Sequence, residues 1–184
     1  MTDFRGFIAV DVKAFPKLVE FENELRKSGA NIKLVDLKNI HITLKFLGNT
    51  DETLTDKIEN AIKDSVEVID PFEIQLIGTG VFPNLNYMKV LWVGIKKSEI
   101  LAQIAKTIDD KLSSLGYEKE KRKFSAHLTI ARVKSAKNKE KLHQTIEKFK
   151  EIEFGKLKVQ SIKLKKSELT PKGPIYTTLR EIII

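Results

Sequence analysis

Histidine and threonine occur two residues apart in two segments with the alternating pattern of a β-strand. These are residues 40–44 (Ile-His-Ile-Thr-Leu) and residues 126–130 (Ala-His-Leu-Thr-Ile). Because side chains alternate along a strand, each imidazole shares a face with a hydroxyl, and the apolar residues occupy the other face. Two imidazoles facing one cleft can act as general base and general acid, and two hydroxyls can donate hydrogen bonds to an anion. The pattern favours metal-independent attack on a phosphate ester, carried out by His41, Thr43, His127 and Thr129.

The tripeptide His-x-Thr alone is weak evidence, since the chain contains it a third time at His143 and Thr145. There, apolar residues recur at helical spacing, and residues two apart on a helix point to nearly opposite sides. We therefore expect His143 to be a solvent-facing helix residue. Each of the other two histidines alone is consistent with a hydrogen-bonded residue on a half-buried strand, but two in matched contexts favour a functional role.

The composition is that of a soluble globular protein, with 184 residues, 41% hydrophobic and 32% charged. The absence of cysteine excludes disulfides and cysteine-ligated zinc. The N-terminus has no basic-then-apolar signal, and no apolar run approaches the roughly 20 residues of a membrane span. We expect a cytoplasmic protein with no membrane association, no bound metal and no cofactor, and a monomer.

The net charge of +8 indicates a polyanionic partner. Many of the cations lie in the second half of the chain, where most of them are expected to belong to a solvated surface. One cluster runs directly into the second histidine segment and therefore carries more weight. It consists of Lys119, Lys121, Arg122 and Lys123.

Both halves of the sequence, residues 1–85 and 86–184, read as strand, helix, histidine strand, helix, strand. In the second half, residues 156–166 are expected to form one strand. Residues 175–184 form another, after a turn containing Pro171 and Pro174. The two histidines are separated by nearly the length of one half. This predicts an α+β fold with two pseudo-twofold-related lobes, each with an antiparallel sheet and helices. The histidine strands would meet at a central cleft within one bilobal domain, 1–184.

Two cations near the histidines are further candidates for phosphate binding. Lys45 has the same strand parity as His41 and Thr43, so it is expected to face the cleft. Arg132 has the opposite parity to His127 and needs a strand end or a bulge to reach the site. A surface position is the alternative for both residues.

The segments around both histidines resemble a known family, the RNA 2′,3′-cyclic phosphodiesterases. These are also called 2′-5′ RNA ligases, and they belong to the two-histidine phosphoesterase superfamily. The resemblance extends over nearly the whole chain. It rests on residues 5–9 (Arg-Gly-Phe-Ile-Ala), 41–48 (His-Ile-Thr-Leu-Lys-Phe-Leu-Gly), 82–83 (Phe-Pro), 90–94 (Val-Leu-Trp-Val-Gly), 126–132 (Ala-His-Leu-Thr-Ile-Ala-Arg) and 167–176 (Ser-Glu-Leu-Thr-Pro-Lys-Gly-Pro-Ile-Tyr).

The resemblance implies a bilobal α+β fold and hydrolysis of a terminal 2′,3′-cyclic phosphate on RNA, tRNA fragments among them, to a 2′-phosphate. In reverse, it implies 2′-5′ ligation to a 5′-hydroxyl end. It assigns His41 as proton donor to the leaving 3′-oxygen and His127 as the base that activates water; the residues alone do not separate these roles. Arg132 is supported as a phosphate ligand by the family pattern. Histidine's ordinary pKa of about 6.5 predicts a bell-shaped pH–rate curve.

Other readings stay open. One is a non-catalytic RNA- or nucleotide-binding module, although binding alone does not require two proton-transfer groups. Others are phosphodiesterases for small cyclic nucleotides or for 2′-5′-linked oligonucleotides; the cations near Lys121 favour a longer RNA. Among the aromatic residues, Phe82 is expected in a loop, Tyr87 at the start of a strand and Trp92 in the core. None of them is predicted to be a platform for a base.

Overall fold

The computed structural model describes residues 2–184, which form nine strands and four α-helices. The strands are β1 (Asp3–Asp11), β2 (Ile32–Leu34), β3 (His41–Asp51), β4 (Phe72–Asn84), β5 (Tyr87–Lys96), β6 (His127–Val133), β7 (Glu153–Val159), β8 (Ser161–Thr170) and β9 (Gly173–Ile183). The helices are α1 (Pro16–Lys27), α2 (Thr55–Val66), α3 (Glu99–Ser113) and α4 (Lys139–Lys148).

The strands form two antiparallel sheets. Sheet 1 has the order β3-β1-β8-β9, and sheet 2 has the order β2-β6-β5-β4-β7. Helices α2 and α3 pack on sheet 1, and α1 and α4 pack on sheet 2. The two predicted histidine strands, β3 and β6, lie in different sheets and contact each other. The predicted α+β class, with a sheet and helices in each lobe, is confirmed.

Each sheet contains strands from both halves of the sequence. Strands β2 and β4 of the first half lie in sheet 2, and β8 and β9 of the second half lie in sheet 1. The halves 1–85 and 86–184 therefore describe the sequence pattern and not the two lobes. One buried hydrophobic cluster extends through both sheets, with Ile42 and Leu128 among its fully buried members.

The expectation of one strand over residues 156–166 is wrong. The chain leaves sheet 2 after Val159 and enters sheet 1 at Ser161, with Gln160 between the two strands. No glycine or proline marks this crossing, and its only trace in the sequence is a one-residue slip of the alternation at the adjacent polar residues Gln160 and Ser161. Such a slip does not distinguish a change of sheet from a bulge, because both strands bury residues of the same kind.

The ends of the helices follow local signals in the sequence. Pro16 occupies the first turn of α1, where its missing N–H costs nothing, and Gly29 after the helix has a φ of 65°, which glycine adopts without strain. Before α2, the Asp51 carboxylate accepts a hydrogen bond from the Thr53 amide at 2.8 Å. These signals fix the connections that lead into and out of strand β3.

Among residues 2–184, no helix is both long and apolar enough to span a bilayer.

Candidate active site

The two imidazoles are held in the same way. His41 begins β3, and its Nδ1 lies 2.8 Å from the carbonyl oxygen of Asn39. His127 begins β6, and its Nδ1 lies 2.8 Å from the carbonyl oxygen of Ser125. A carbonyl oxygen can only accept, so each Nδ1 carries the hydrogen. In the neutral ring Nε2 is then the basic nitrogen, and both histidines present the same atom for proton transfer.

Each imidazole also meets an aromatic ring edge-on. His41 and Tyr176 of β9 have ring centroids 5.3 Å apart at 87°, and His127 and Phe82 of β4 have centroids 5.1 Å apart at 86°. On its other side His41 packs against Phe7, at 4.9 Å. Contrary to expectation, Phe82 lies within strand β4 and not in a loop. These contacts fix both ring orientations and repeat the same arrangement in the two lobes.

Both histidine strands contain a β-bulge at the same offset. Ala9 pairs with Thr43 but Ile8 pairs with Lys45, so Leu44 is the extra residue in β3. In β6, Trp92 pairs with Thr129 but Leu91 pairs with Ala131, which makes Ile130 the extra residue. After a bulge the alternation shifts by one residue, and side chains change face. The first six residues of β3 and β6 accordingly show one burial pattern, in which the fourth and fifth are both buried.

The expectation that Lys45 faces the cleft is wrong, because the bulge turns it to the helix-covered face of sheet 1. The residue is 3% exposed. Its Nζ donates to Asp109 Oδ1 of α3 at 2.5 Å and to the Glu118 carbonyl oxygen at 2.9 Å. Lys45 therefore joins the histidine strand to α3 and to the segment after it, and it does not line the space between the imidazoles.

The same bulge has the opposite consequence for Arg132. By register Arg132 pairs with Val90, two residues from Trp92, so it shares the sheet face of His127 and Thr129. The side chain is exposed, and among residues 2–184 no carboxylate lies within 4 Å of it. Its charge acts on Tyr176, which belongs to the other sheet. An unpaired guanidinium on this face is available to an anion.

Phe46 was not identified from the sequence. It occupies the position in β3 that Arg132 has in β6, five residues after the histidine. Its register partner is Phe7, so it lies on the face of His41 and Thr43, and it is 66% exposed. A large exposed aromatic ring beside a polar cleft can stack on a base. The one sequence feature that could have pointed to Phe46 is its spacing from His41, which equals the spacing of Arg132 from His127. The bulges in β3 and β6 show why this spacing matters, because they turn both side chains to the face of the histidines.

Thr43 and Thr129 lie beside the imidazoles as the alternation predicts. Both are half-buried, and within the described part of the chain neither hydroxyl takes part in a side-chain hydrogen bond. Both are therefore free to donate to an anion held between the two histidines. His143, by contrast, lies in α4 with its side chain 46% exposed, 3.7 Å from Glu147. As predicted, it faces solvent away from these strands.

The surroundings of His41, burial first among them, disfavour its protonated form in the free protein. Burial lowers the pKa of His41 below its usual value, and the charges of Lys165 and His127 act in the same direction. The hydrogen bond to Asn39 and the carboxylate of Asp11 oppose them. The influence of His127 on the His41 pKa reflects their approach across the cleft. An anion bound beside His41 would favour the charged form of this ring.

A cluster of three charged residues supports the His41 side of the cleft. Asp11 pairs with His41 in the sheet register, and its carboxylate accepts from Lys165 at 2.6 Å and from Lys163 at 2.9 Å. Burial alone would raise the Asp11 pKa, but these two bonds outweigh it and hold the pKa below its usual range. Among residues 2–184, no group of three or more histidine, aspartate or glutamate side chains is arranged to hold a metal ion.

Two matched imidazoles beside hydroxyl and guanidinium groups form a site suited to acid–base chemistry on a phosphate ester, and comparisons with known proteins identify the family. The model of the 2′-5′ RNA ligase superfamily matches residues 8–168. An RNA 2′,3′-cyclic phosphodiesterase of Methanocaldococcus jannaschii is 44% identical over 96% of this chain and 99% of its own length. An RNA 2′,3′-cyclic phosphodiesterase of Methanothermobacter thermautotrophicus is 37% identical over 95% of this chain and 96% of its own length.

The chain belongs to the 2′-5′ RNA ligase superfamily. Solved structures agree in fold. TT0787 of Thermus thermophilus superposes with a TM-score of 0.80 at 27% identity, covering 97% of each chain. E. coli LigT complexed with 3′-AMP gives a TM-score of 0.74 at 21% identity, covering 100% of this chain and 99% of LigT. The resemblance noted from the sequence motifs is thereby confirmed.

Proposed function

We propose that this protein hydrolyses the 2′,3′-cyclic phosphate at the end of an RNA to a 2′-phosphate, without a metal ion or cofactor. The observation that carries the proposal is the matched pair of imidazoles, each fixed through Nδ1 at 2.8 Å so that Nε2 is the atom free for proton transfer. Relatives of nearly the same length that are named RNA 2′,3′-cyclic phosphodiesterase support the choice of substrate.

In the proposed mechanism the cyclic phosphate lies between the two rings. Nε2 of His127 takes a proton from water as the water oxygen forms a bond to phosphorus. The bond from phosphorus to O3′ breaks, and Nε2 of His41 gives its proton to O3′. The product carries a 2′-phosphate and a 3′-hydroxyl, and a proton exchange with solvent restores both imidazoles. Base and acid on opposite sides of phosphorus are what an in-line displacement requires.

Charge on the non-bridging oxygens grows in the transition state, and positioned donors stabilise it. Thr43, Thr129 and Arg132 are proposed to supply these donors, because all three lie on the cleft faces of β3 and β6. Arg132 offers a planar fork that matches two phosphate oxygens. Phe46 is proposed to stack on the terminal base. Lys45 is not included, because its charge is already engaged by Asp109.

The lowered pKa of His41 links the protonation of this ring to the binding of substrate. Burial favours neutral His41, whereas a proton donor must be charged. The substrate supplies the missing interaction, because its phosphodiester anion favours the protonated ring. Binding and protonation of His41 are therefore expected to be coupled.

Ligation is a second proposed activity. The matching family model is that of the 2′-5′ RNA ligase superfamily, and ligation uses a 5′-hydroxyl in place of water as the nucleophile. His127 would take the proton of the 5′-hydroxyl as its oxygen bonds to phosphorus, and His41 would protonate O3′ as the bond from phosphorus to O3′ breaks. We also propose tRNA fragments with cyclic phosphate ends as one substrate, and a monomer as the active form, because both histidines of the cleft come from one chain. A cytoplasmic location stays a prediction.

The test is an assay on a synthetic RNA that ends in a 2′,3′-cyclic phosphate, after treatment with a chelator. The proposal predicts conversion to an RNA with a 2′-phosphate, identified by its resistance to an enzyme that removes only 3′-phosphates. A 3′-phosphate product would contradict the assignment of O3′ as the leaving group. Tight RNA binding without any conversion would favour a binding module.

A further inference from the structure

A groove of about 1020 Å³ lies along the edge of sheet 1, and of the side chains assigned to the candidate site Phe46 lines it. One wall is formed by residues 45–49 of β3, which is the edge strand of sheet 1, and the other by residues 115–122. The first wall begins just after Thr43. The second belongs to the segment that leads from α3 to β6, where His127 lies. The groove therefore borders β3 and the segment that leads into β6.

We propose that this groove binds the RNA strand on the 5′ side of the cyclic phosphate end. The inference rests on the proposed function, because it places the nucleotides that precede the reacting one. Its volume is at the upper end of the range for small-molecule sites, which leaves room for more than the terminal nucleotide. Phe46, 66% exposed, stands between the histidine cleft and the groove.

The cations of the groove are of two kinds. Lys45 and Lys119 are neutralised, the first by Asp109 at 2.5 Å and the second by Asp110 at 2.6 Å. Lys121 and Arg122 are exposed, and within residues 2–184 no carboxylate lies within 4 Å of either. Unpaired cations beside an exposed aromatic ring are the combination that single-stranded nucleic acid recognises.

The segment that carries these cations is anchored and not free. The Glu120 amide donates to both carboxylate oxygens of Asp109 at 3.2 Å, and Lys45 bridges Asp109 and the Glu118 carbonyl. The buried Lys45 thus sets the distance between the histidine strand and Lys121. This gives a role to the one candidate cation that the bulge turns away from the phosphate.

The groove is not uniformly basic. Its lining includes the carboxylates of Asp3, Asp51, Glu118 and Glu120. Attraction for phosphate is therefore restricted to the vicinity of Lys121 and Arg122, and we expect the groove to hold a short stretch of backbone. The second groove, about 500 Å³ near α4, lacks this chemistry, since its one lysine, Lys150, is paired with Glu147 at 3.3 Å.

The experiment compares a mononucleoside 2′,3′-cyclic phosphate with RNA oligonucleotides of two to six nucleotides that carry the same end. The parent is expected to show a kcat/KM that rises with length over the first few nucleotides and then levels off. The double variant Lys121→Ala, Arg122→Ala is expected to lose most of that rise. The matched control, Lys106→Ala with Lys141→Ala, removes two exposed lysines from α3 and α4 and should keep it.

Binding of a fluorescent hexanucleotide with a 2′-phosphate end gives a second measurement that needs no turnover. The groove variant should bind roughly tenfold more weakly, and the slope of log Kd against log salt should fall by about two. Equal kcat/KM for all lengths in the parent, or equal losses in the groove and control variants, would overturn the inference alone. Failure of the parent to open any cyclic phosphate would overturn the proposed function, and the binding measurement would still decide on the groove.

Discussion

At the scale of single residues, the roles of the two histidines rest on one shared contact and one difference. Both rings use Nδ1 to donate to a backbone carbonyl, so geometry makes them equivalent. Their surroundings differ, because His41 lies between Phe7 and Tyr176 beside a charged cluster. The geometry alone does not tell which histidine donates a proton and which accepts one, so a chemical experiment has to distinguish the two roles.

A substrate with a better leaving group can separate them. We predict that a cyclic ester with sulfur in place of O3′ restores much of the activity of His41→Ala, because a thiolate leaves without protonation. His127→Ala should not be rescued, since water would still lack its base. Single-turnover rates with the oxygen and sulfur substrates provide the measurement. Rescue of His127→Ala alone would show that the two roles are reversed.

The pH dependence follows from the lowered pKa of His41. Activity requires this ring protonated, so a lowered pKa moves the loss of kcat/KM at rising pH to a lower pH than histidine's ordinary value of about 6.5 would give. Because the bound phosphate favours the charged ring, the corresponding limb of kcat should lie at higher pH.

Lys165→Met tests the same assignment. It removes a positive charge that lowers the His41 pKa and leaves Asp11 less neutralised. Both effects raise the His41 pKa, so the alkaline limb of kcat/KM should move to higher pH. The exposed Lys106→Ala is the control. Movement of the limb to lower pH would contradict the assignment of His41 as the proton donor.

At the scale of the elements, the two bulges decide which side chains reach the cleft. We predict that Arg132→Ala lowers kcat/KM roughly a hundredfold, the loss typical of one positioned donor, with little loss of stability. Lys45→Met should instead destabilise the fold by about 3 kcal/mol, because it leaves the Asp109 carboxylate without its buried partner. Denaturant unfolding and steady-state kinetics of both variants test this contrast.

The double variant Lys45→Met, Asp109→Leu supplies the control for the buried pair. Removing both charges should recover part of the lost stability, since no carboxylate is then left unpaired. A stable Lys45→Met protein with a large loss of kcat on a mononucleotide substrate would place Lys45 at the phosphate after all.

The sequence was informative about the strands and less so about their faces. Alternation located His41, Thr43, His127 and Thr129 on two strands, because it depends only on neighbours along the chain. A bulge depends on which residue of the partner strand lies opposite, and a single strand does not contain that information. For this reason alternation alone places Lys45 on the wrong face and gives no indication of Phe46, and the support for Arg132 comes more from the family resemblance than from geometry.

At the scale of the whole molecule, the exchange of strands between sequence halves ties the two lobes together. Sheet 2 takes β2 and β4 from the first half, and sheet 1 takes β8 and β9 from the second. Local patterns do not show such exchange, since each strand reads the same in either sheet. The result is one hydrophobic cluster that includes residues of both sheets.

We predict from this shared core that the protein unfolds as one unit. Thermal unfolding followed by tryptophan fluorescence, which reports Trp92 in sheet 2, should coincide with the loss of helical circular dichroism. Two separate transitions would contradict the proposal of a single bilobal domain and would indicate lobes that fold independently.

The most direct test of the central claim uses the three His-x-Thr tripeptides of this one chain. Each histidine is replaced by alanine, and the variants are assayed with the parent on a chelator-treated RNA that ends in a 2′,3′-cyclic phosphate. We predict that His41→Ala and His127→Ala each lose activity by a factor of at least about a hundred. His143→Ala should match the parent, because its side chain faces solvent on α4. Near-parental rates in both of the first two variants would contradict the two-histidine mechanism.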